Sequence, residues 1–264
     1  MQYSIPARSS VIDRDNDGYA DHMYVVDMGG QMFRLDIYNG ESGSDFIKGA
    51  LVADWGGSGA ADNRRFYYGP DVSEIALGDD LYYAVAVGSG FRAGPLSTTT
   101  DDHFYMFKDT GVFTIDANGE YTLPSTPYVE TDFYDATAHL LSSSDAAVQG
   151  IESAALQSKA GWMLRLTTGG EKVLSSPMIL DYKIFFTTYV PASSSTSSCA
   201  PPTGNSRAYL VNLFNANAVS DLNNNGDLDS GDRSAQLKQT GIAPDTQILI
   251  EAIVTHVVWL GWAF

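Results

Sequence analysis

The segment HMYVVDMGGQMFRLDIYNG, residues 22 to 40, decides what kind of fold this chain adopts. Two apolar, β-prone runs flank Gly29-Gly30, and a glycine pair between such runs is a hairpin signal. Outward from it the same rhythm recurs. SEIALGDDLYYAVAVGSG predicts a second pair of strands, turning near Gly78, Asp79 and Asp80. DDHFYMFKD and GVFTIDANGEYTL predict a third group, with Asn118-Gly119 as its turn. GWMLRLTTGGEKVLSSPMILDYKIFFTTYVP supplies three more strands, with corners at Gly169-Gly170 and Asp181-Tyr182, and RAYLVNLF supplies another. Residues 135–161 break the rhythm: rich in Ala, Leu, Ser and Gln at helical spacing, they predict one or two short helices inserted between strands. Residues 192–206 read as an exposed Ser/Pro/Gly loop. The fold class is all-β. Strand pairs recurring every few tens of residues suit the blades of a β-propeller, and a sandwich also fits the pattern.

The chain has 264 residues, 44% hydrophobic and 12% aromatic, enough for a sizeable core, and is read as one domain spanning 1–264. Its formal net charge of -17 excludes nucleic acid as a partner, because phosphates would be repelled. The same charge suits a secreted or surface protein, or one that carries divalent cations. With Cys199 as the single cysteine, no internal disulfide can form, which leaves a partner elsewhere or an unpaired surface thiol. No secretory signal is visible at the start. The apolar stretch ILIEAIVTHVVWLGWAF, residues 248–264, is interrupted by Glu251 and His256 and falls short of the roughly 20 residues of a spanning helix, so no transmembrane segment is expected.

Two acidic loops carry the chemistry. In DRDNDGYAD, Asp13, Asp15 and Asp17 occupy the first, third and fifth places of a calcium loop, and Gly18 the sixth. Tyr19 would offer its carbonyl, and Asp21 stands ninth. Residues two apart can converge on one ion as the loop curls, and a set made only of oxygens suits calcium, whereas zinc would prefer His and Cys. The twelfth place is Tyr24, so the EF-hand glutamate is missing and the flanks read as loop and strand instead of helices. DLNNNGDLDSGD, residues 221–232, repeats the register with Asp221, Asn223, Asn225, Gly226, Asp227, Asp229 and Asp232. Asp227 would give its carbonyl, which leaves three carboxylates and two amides as side-chain ligands, so weaker binding is expected there. For each loop the alternative is a solvated turn between strands.

The run DRDNDGYADHMYVVDMGGQMFRLDI resembles the blade-opening segment of the PilY family, the type IV pilus biogenesis factors and pilus-tip adhesins. YYAVAVGSGFRAGPL, DDHFYMFKD, GWMLRLTTGGEKVLSSPMILDYKIFFTTYVP, CAPPTGNSRAYLVNL and DLNNNGDLDSGDRSAQLKQTGIAPDTQIL follow in the family's order. The resemblance implies a quinoprotein-like β-propeller, complete or modified, forming the C-terminal domain of a larger protein outside the cell, at the cell surface or pilus tip. It implies pilus extension and retraction, twitching motility and attachment, with calcium at Asp13, Asp15, Asp17, Tyr19 and Asp21 as the regulatory element. The partners it implies are pilus-tip minor pilins or pilus machinery, and a host or abiotic surface. The integrin-binding Arg-Gly-Asp triplet of some members is not present in this sequence.

No catalytic constellation stands out. His22, His103, His139 and His256 are scattered and read as surface or packing residues. GSGFRAGP, residues 88–95, lacks the Lys-Ser/Thr of a phosphate loop. Asp79-Asp80 and Asp101-Asp102 read as solvated corners, and Glu130, Asp132 and Asp135 as a loosely spaced further cation group. The competing reading is a calcium-dependent propeller enzyme, akin to the quinoprotein dehydrogenases, or a carbohydrate-binding module. The single cysteine speaks against the quinone pocket, which typically includes adjacent cysteines.

Overall fold

The structure, a computed structural model, describes residues 1–192 and 203–247; Cys199 and the apolar stretch 248–264 lie outside the described residues. The strands form three sheets that follow one another along the chain. The first sheet is an antiparallel meander of β1 (Ser10–Ile12), β2 (His22–Val26), β3 (Gln31–Ile37) and β4 (Ile47–Asp54). The second holds β5 (Asp71–Leu77), β6 (Asp80–Gly88), β7 (His103–Asp109), β8 (Tyr134–Asp135) and β9 (Gly161–Arg165), in the order β5-β6-β7-β9-β8. In the third, β10 (Lys172–Val173) and β11 (Met178–Leu180) share one edge of β12 (Lys183–Val190), followed by β13 (Asn205–Asn212) and β14 (Ser234–Thr240). Three successive meanders are the unit a propeller repeats, but they form open sheets and no ring closes among the described residues.

The hairpin that opens the reading forms where expected. Val25 lies opposite Phe33 and Val26 opposite Met32. The Asp27 carboxylate accepts from the Gly29 and Gln31 N–H groups at 2.8 and 3.0 Å, and Gly30 takes a φ of +82°. A side chain at Gly30 would strike Gly56, because the chain leaving β4 bonds to the turn through Trp55 N–H to Gly30 C=O at 2.9 Å. Here glycine is required twice over, for its φ and for the close approach.

The middle sheet is buried on both faces. Tyr83, Val85, Val87, Tyr105, Phe107 and Met163 enter one core with Tyr24, Val26, Met32 and Val52 of the first sheet. Ala84, Ala86, Phe104, Met106, Trp162 and Leu164 enter another with Val173, Ile184, Phe186 and Val211 of the third. This explains why YYAVAV on β6 is apolar without a break, for neither side of that strand meets water. Aromatic stacks pin both seams: Trp55 on Tyr105 with centroids 4.3 Å apart, and Phe186 between Phe104 at 3.9 Å and Tyr209 at 4.6 Å.

The inserted helix forms once, as α1 (Ala146–Gln157), with the Asp145 carboxylate capping the N–H groups of Ala147 and Val148; a 3₁₀ turn at Leu140–Ser142 precedes it. The third strand group departs from expectation. GVFTIDANGEYTL forms a 3₁₀ turn, Gly111–Phe113, and a lone bridge between Ile115 and Tyr121, with the turn at Asn118-Gly119. Instead of extending its own sheet, this excursion reaches the first one: Tyr128 N–H donates to Val52 C=O at 2.9 Å and receives Asp54 N–H in return at 2.8 Å. Among the described residues, no helix is long and apolar enough to cross a membrane.

Phe186→Ala should therefore lower stability by about 3–5 kcal/mol, since it empties the seam between the second and third sheets. Urea unfolding followed by tryptophan fluorescence checks this, as Trp162 belongs to the same cluster.

Candidate metal centres

The first acidic loop joins β1 to β2 and is shaped by its own carboxylates. Asp13 accepts from the N–H of Asp17 at 3.2 Å and of Gly18 at 2.8 Å. Asp15 accepts from Asp17 N–H at 3.2 Å, and Asp17 from Tyr19 N–H at 2.8 Å. Asn16 and Gly18 take φ values of +59° and +94°. The second loop, between β13 and β14, follows the same template position by position. Asp221 accepts from Asn225 and Gly226, Asn223 from Asn225, and Asn225 from Asp227, at 2.9 to 3.2 Å. Asn224 and Gly226 take φ values of +58° and +92°. Two loops of different composition thus reach one backbone form, dictated by oxygens at places one, three and five and by glycine at six.

They close differently. In the first loop the ninth residue, Asp21, accepts the N–H of Arg14 at 2.7 Å. In the second it is the twelfth, Asp232, which accepts from Leu222 and Asn223 at 3.1 and 3.2 Å and from Asp229 at 2.9 Å. Asp232 is buried, and the N–H of Asp229, then those of Asn223 and Leu222, hold its carboxyl below the usual range. Asp229 caps the 3₁₀ turn Ser230–Arg233 by accepting from Gly231. Backbone donors thus occupy both oxygens of Asp232.

Carboxylate oxygens of Asp13, Asp15 and Asp21 lie within 4.8 Å of one another, and Asp17 stands outside that group. None of the four forms an ion pair among the described residues. The Tyr19 side chain points into solvent, 65% exposed. The donor set is all oxygen, negatively charged and open to water, which fits a hard divalent cation. The second loop brings the oxygens of Asp221, Asn223 and Asn225 to the matching places, with one carboxylate where the first loop has three.

Each loop is fastened to the chain between β7 and β9 by an arginine whose sequence position carries no sign of that contact. Arg14 donates through Nη1 to Val112 C=O at 2.7 Å, and its guanidinium lies 5.4 and 5.6 Å from the ring centroids of Phe113 and Tyr121. Buried Arg233, directly after Asp232, donates to the carbonyls of Ala136 at 2.7 Å and Thr137 at 3.0 Å. Immediately behind the first loop, His22 Nδ1 pairs with Asp36 at 2.7 Å, and Arg34 spans Asp36 at 3.0 Å and Asp109 at 2.8 Å. Tyr24 donates to Asp109 at 2.7 Å, and Arg34 also donates to Thr122 C=O at 2.8 Å. Burial alone would lower the Arg34 pKa, but Asp109 and Asp36 outweigh it and raise the value.

Other sequence candidates resolve into structural roles. Glu130, Asp132 and Asp135 do not converge. Glu130 takes His103 at 2.8 Å, Tyr105 at 2.6 Å and Arg64 at 3.2 Å, Asp132 accepts from Val129 N–H, and Asp135 pairs with Arg165 at 2.7 Å. Asp102 is no solvated corner: it is buried, accepts from Ser89 Oγ at 2.7 Å, and burial pushes its carboxyl up to about 6. Asp79, Asp80 and Asp101 are exposed as expected. His22 and His103 are buried members of ion-pair networks. His256 lies outside the described residues.

No family model matches the chain. It is 26% identical over 208 residues to a type IV pilus biogenesis factor PilY1 homolog from Xylella fastidiosa (strain Temecula1), covering 74% of this chain and 13% of that protein. The chain therefore spans about an eighth of the length of this relative. The crystal structure of the Pseudomonas aeruginosa PilY1 C-terminal domain superposes with a TM-score of 0.54 at 14% identity, over 84% of this chain and 50% of the other. In sequence and in fold the chain is PilY1-like.

Burial opposes the charge on Glu130, but the His103 and Tyr105 hydrogen bonds and Arg64 prevail and hold its carboxyl at about 2 instead of 4.5. A carboxylate depressed in the folded state stabilises above its unfolded pKa and loses that contribution as pH falls through the folded value. Stability should drop by about 2–3 kcal/mol between roughly pH 5 and 2 through this group. Glu130→Gln should flatten that part of the pH dependence in thermal melts.

Proposed function

We propose that this chain is a calcium-responsive, quinoprotein-like β-propeller segment of a type IV pilus biogenesis factor. It works at the cell surface or pilus tip, in pilus extension and retraction, twitching motility and attachment. Its likeness to PilY1 proteins supports the pilus role, and the three successive meanders support the propeller. The observation that carries calcium is the shared template of the two loops, in which three uncompensated carboxylates of the first converge within 4.8 Å. Its partners are minor pilins or pilus machinery on one side and a host or abiotic surface on the other. It acts by binding and not by catalysis, which agrees with the commitment of His22, His103 and Glu130 to buried or half-buried pairs.

A bound calcium ion would supply the positive charge that lets Asp13, Asp15, Asp17 and Asp21 sit together without repulsion. Asp21 clasps Arg14 N–H and thereby holds the loop closed at its neck. Arg14 passes that order to Val112, Phe113 and Tyr121, on the connection leaving β7. His22, next in the chain to Asp21, joins the loop to the buried Asp36–Arg34–Asp109 network. A surface partner that prefers the ordered loop is then linked to calcium by its differential affinity for the two states.

Calorimetry on the wild-type chain should give binding with a Kd on the order of 10⁻⁴ to 10⁻³ M or tighter. Asp13→Ala with Asp15→Ala should abolish the tighter component, leave the folded circular-dichroism spectrum, and remove twitching when placed in the full-length protein. Absence of any calcium-dependent heat in the wild type would refute the calcium reading while leaving the pilus role to be judged by motility.

A further inference from the structure

Strand β7 breaks its own pattern at one end. Phe104 and Met106 enter the core shared with the third sheet, and Lys108 follows them on the same face, opposite Ala84 of that core. A charge stands where the alternation calls for an apolar side chain. Lys108 opens into a cavity of about 720 Å³, walled by Tyr82, Tyr128, Leu156 and Phe214 and rimmed by Asp80 and Lys159. Leu156 and Phe214 pack against the core cluster, so the apolar wall continues the protein interior outward. That volume lies within the range of small-ligand sites, which pair apolar walls with a few placed polar groups.

Half-buried Lys108 makes no hydrogen bond and no ion pair through its ammonium among the described residues. Lys159, by contrast, donates to Thr131 C=O at 2.6 Å. Burial pushes the Lys108 ammonium below its usual range, and Asp80 only partly counters this. Unpaired ammonium in such a place costs stability, and a bound anion would offset the cost. The anion must be small in charge, because Asp80 shares the rim and would repel a dianion; an apolar body beyond its head can pack on Tyr82, Tyr128, Leu156 and Phe214, while Thr110, Gln157 and Ser158 leave polar places in the same lining.

We propose that this cavity binds a carboxylate carried on a flat, apolar body, with Lys108 as the cation that receives it. The ligand is a free aromatic acid or the carboxyl terminus of a peptide ending in an aromatic residue. Neither depends on the calcium loops, which lie between β1 and β2 and between β13 and β14.

Calorimetry with 3-phenylpropionate, and with a tripeptide ending in phenylalanine as free acid and as amide, tests the assignment. At least one free acid should bind with a Kd on the order of a millimolar, as expected for so small a ligand. Lys108→Met should weaken that binding at least tenfold and yet raise the Tm, since the unpaired charge is gone; Lys108→Arg should retain most of it. Saturating ligand should slow acylation of Lys108 by an amine reagent, read by peptide mass mapping, and leave Lys48 and Lys238 unaffected. Binding of the small acid alone, or of the peptide acid too, distinguishes the two sources and supports the site either way. Binding of the amide as tight as that of the acid, unchanged affinity in Lys108→Met, or no heat up to 10 mM (about ten times the expected Kd) would overturn it.

Discussion

A guanidinium with no exposure to water holds the first two sheets in one arrangement. Arg34 belongs to β3, pairs with Asp36 beside it on the same strand, and reaches across to Asp109 at the end of β7. Buried charge of this kind tolerates little displacement, because an unpaired member would face the full penalty of desolvation. The apolar seam around it would accept small slides of one sheet over another; the ion pairs would not. Tyr24, His22 and the Thr122 carbonyl complete the coordination, so the network fixes a strand, a hairpin partner and the start of the long excursion after β7 together.

On that rigid base the two acidic loops look alike in design. Each is wound on its own side-chain oxygens, each lies on an outer sheet, and each sends an arginine to carbonyls of the chain between β7 and β9, Arg14 to Val112 and Arg233 to Ala136 and Thr137. That excursion from the central sheet is thus the common anchor. Their difference lies in charge: three converging carboxylates in the first, and in the second one carboxylate and two amides at places one, three and five, with Asp232 already occupied by backbone donors.

The hairpin at Gly29-Gly30, the β5–β6 and β11–β12 pairs and the form of both loops were legible because local chemistry decides them: glycine at a positive φ, alternating carboxylates, apolar runs between turn residues. β4, IKGALVAD, and β14, SAQLKQT, were not read as strands. Both lie at sheet edges, β4 interrupted by Lys48 and Gly49 and β14 mostly polar, and neighbouring strands, not intrinsic preference, recruit them. GVFTIDANGEYTL was legible as a turn but not as the start of a crossing to the first sheet, since the chain after it pairs at Tyr128 with Val52 and Asp54, far away in sequence. The supports of the site were the least visible part. Nothing in the spacing of Arg14, Arg34 or Arg233 announces a partner 75 to 98 residues distant.

The place at which the first loop closes sets a limit on how this chain can vary. Asp21 fastens the loop, and the next residue already sits in β2 with its ring against Asp36. There is no slack between the two. One residue gained or lost at that junction would turn His22, Tyr24 and Val26 off the face they now share with Asp36 and Asp109 and put Met23 and Val25 in their place, exchanging the two sides of the hairpin. In the second loop the closing residue, Asp232, sits inside the 3₁₀ turn from Ser230 to Arg233, and only buried Arg233 stands between it and β14. Insertions and deletions among homologous chains should accordingly fall within the exposed arcs of the loops and be excluded from both junctions with the strands that follow.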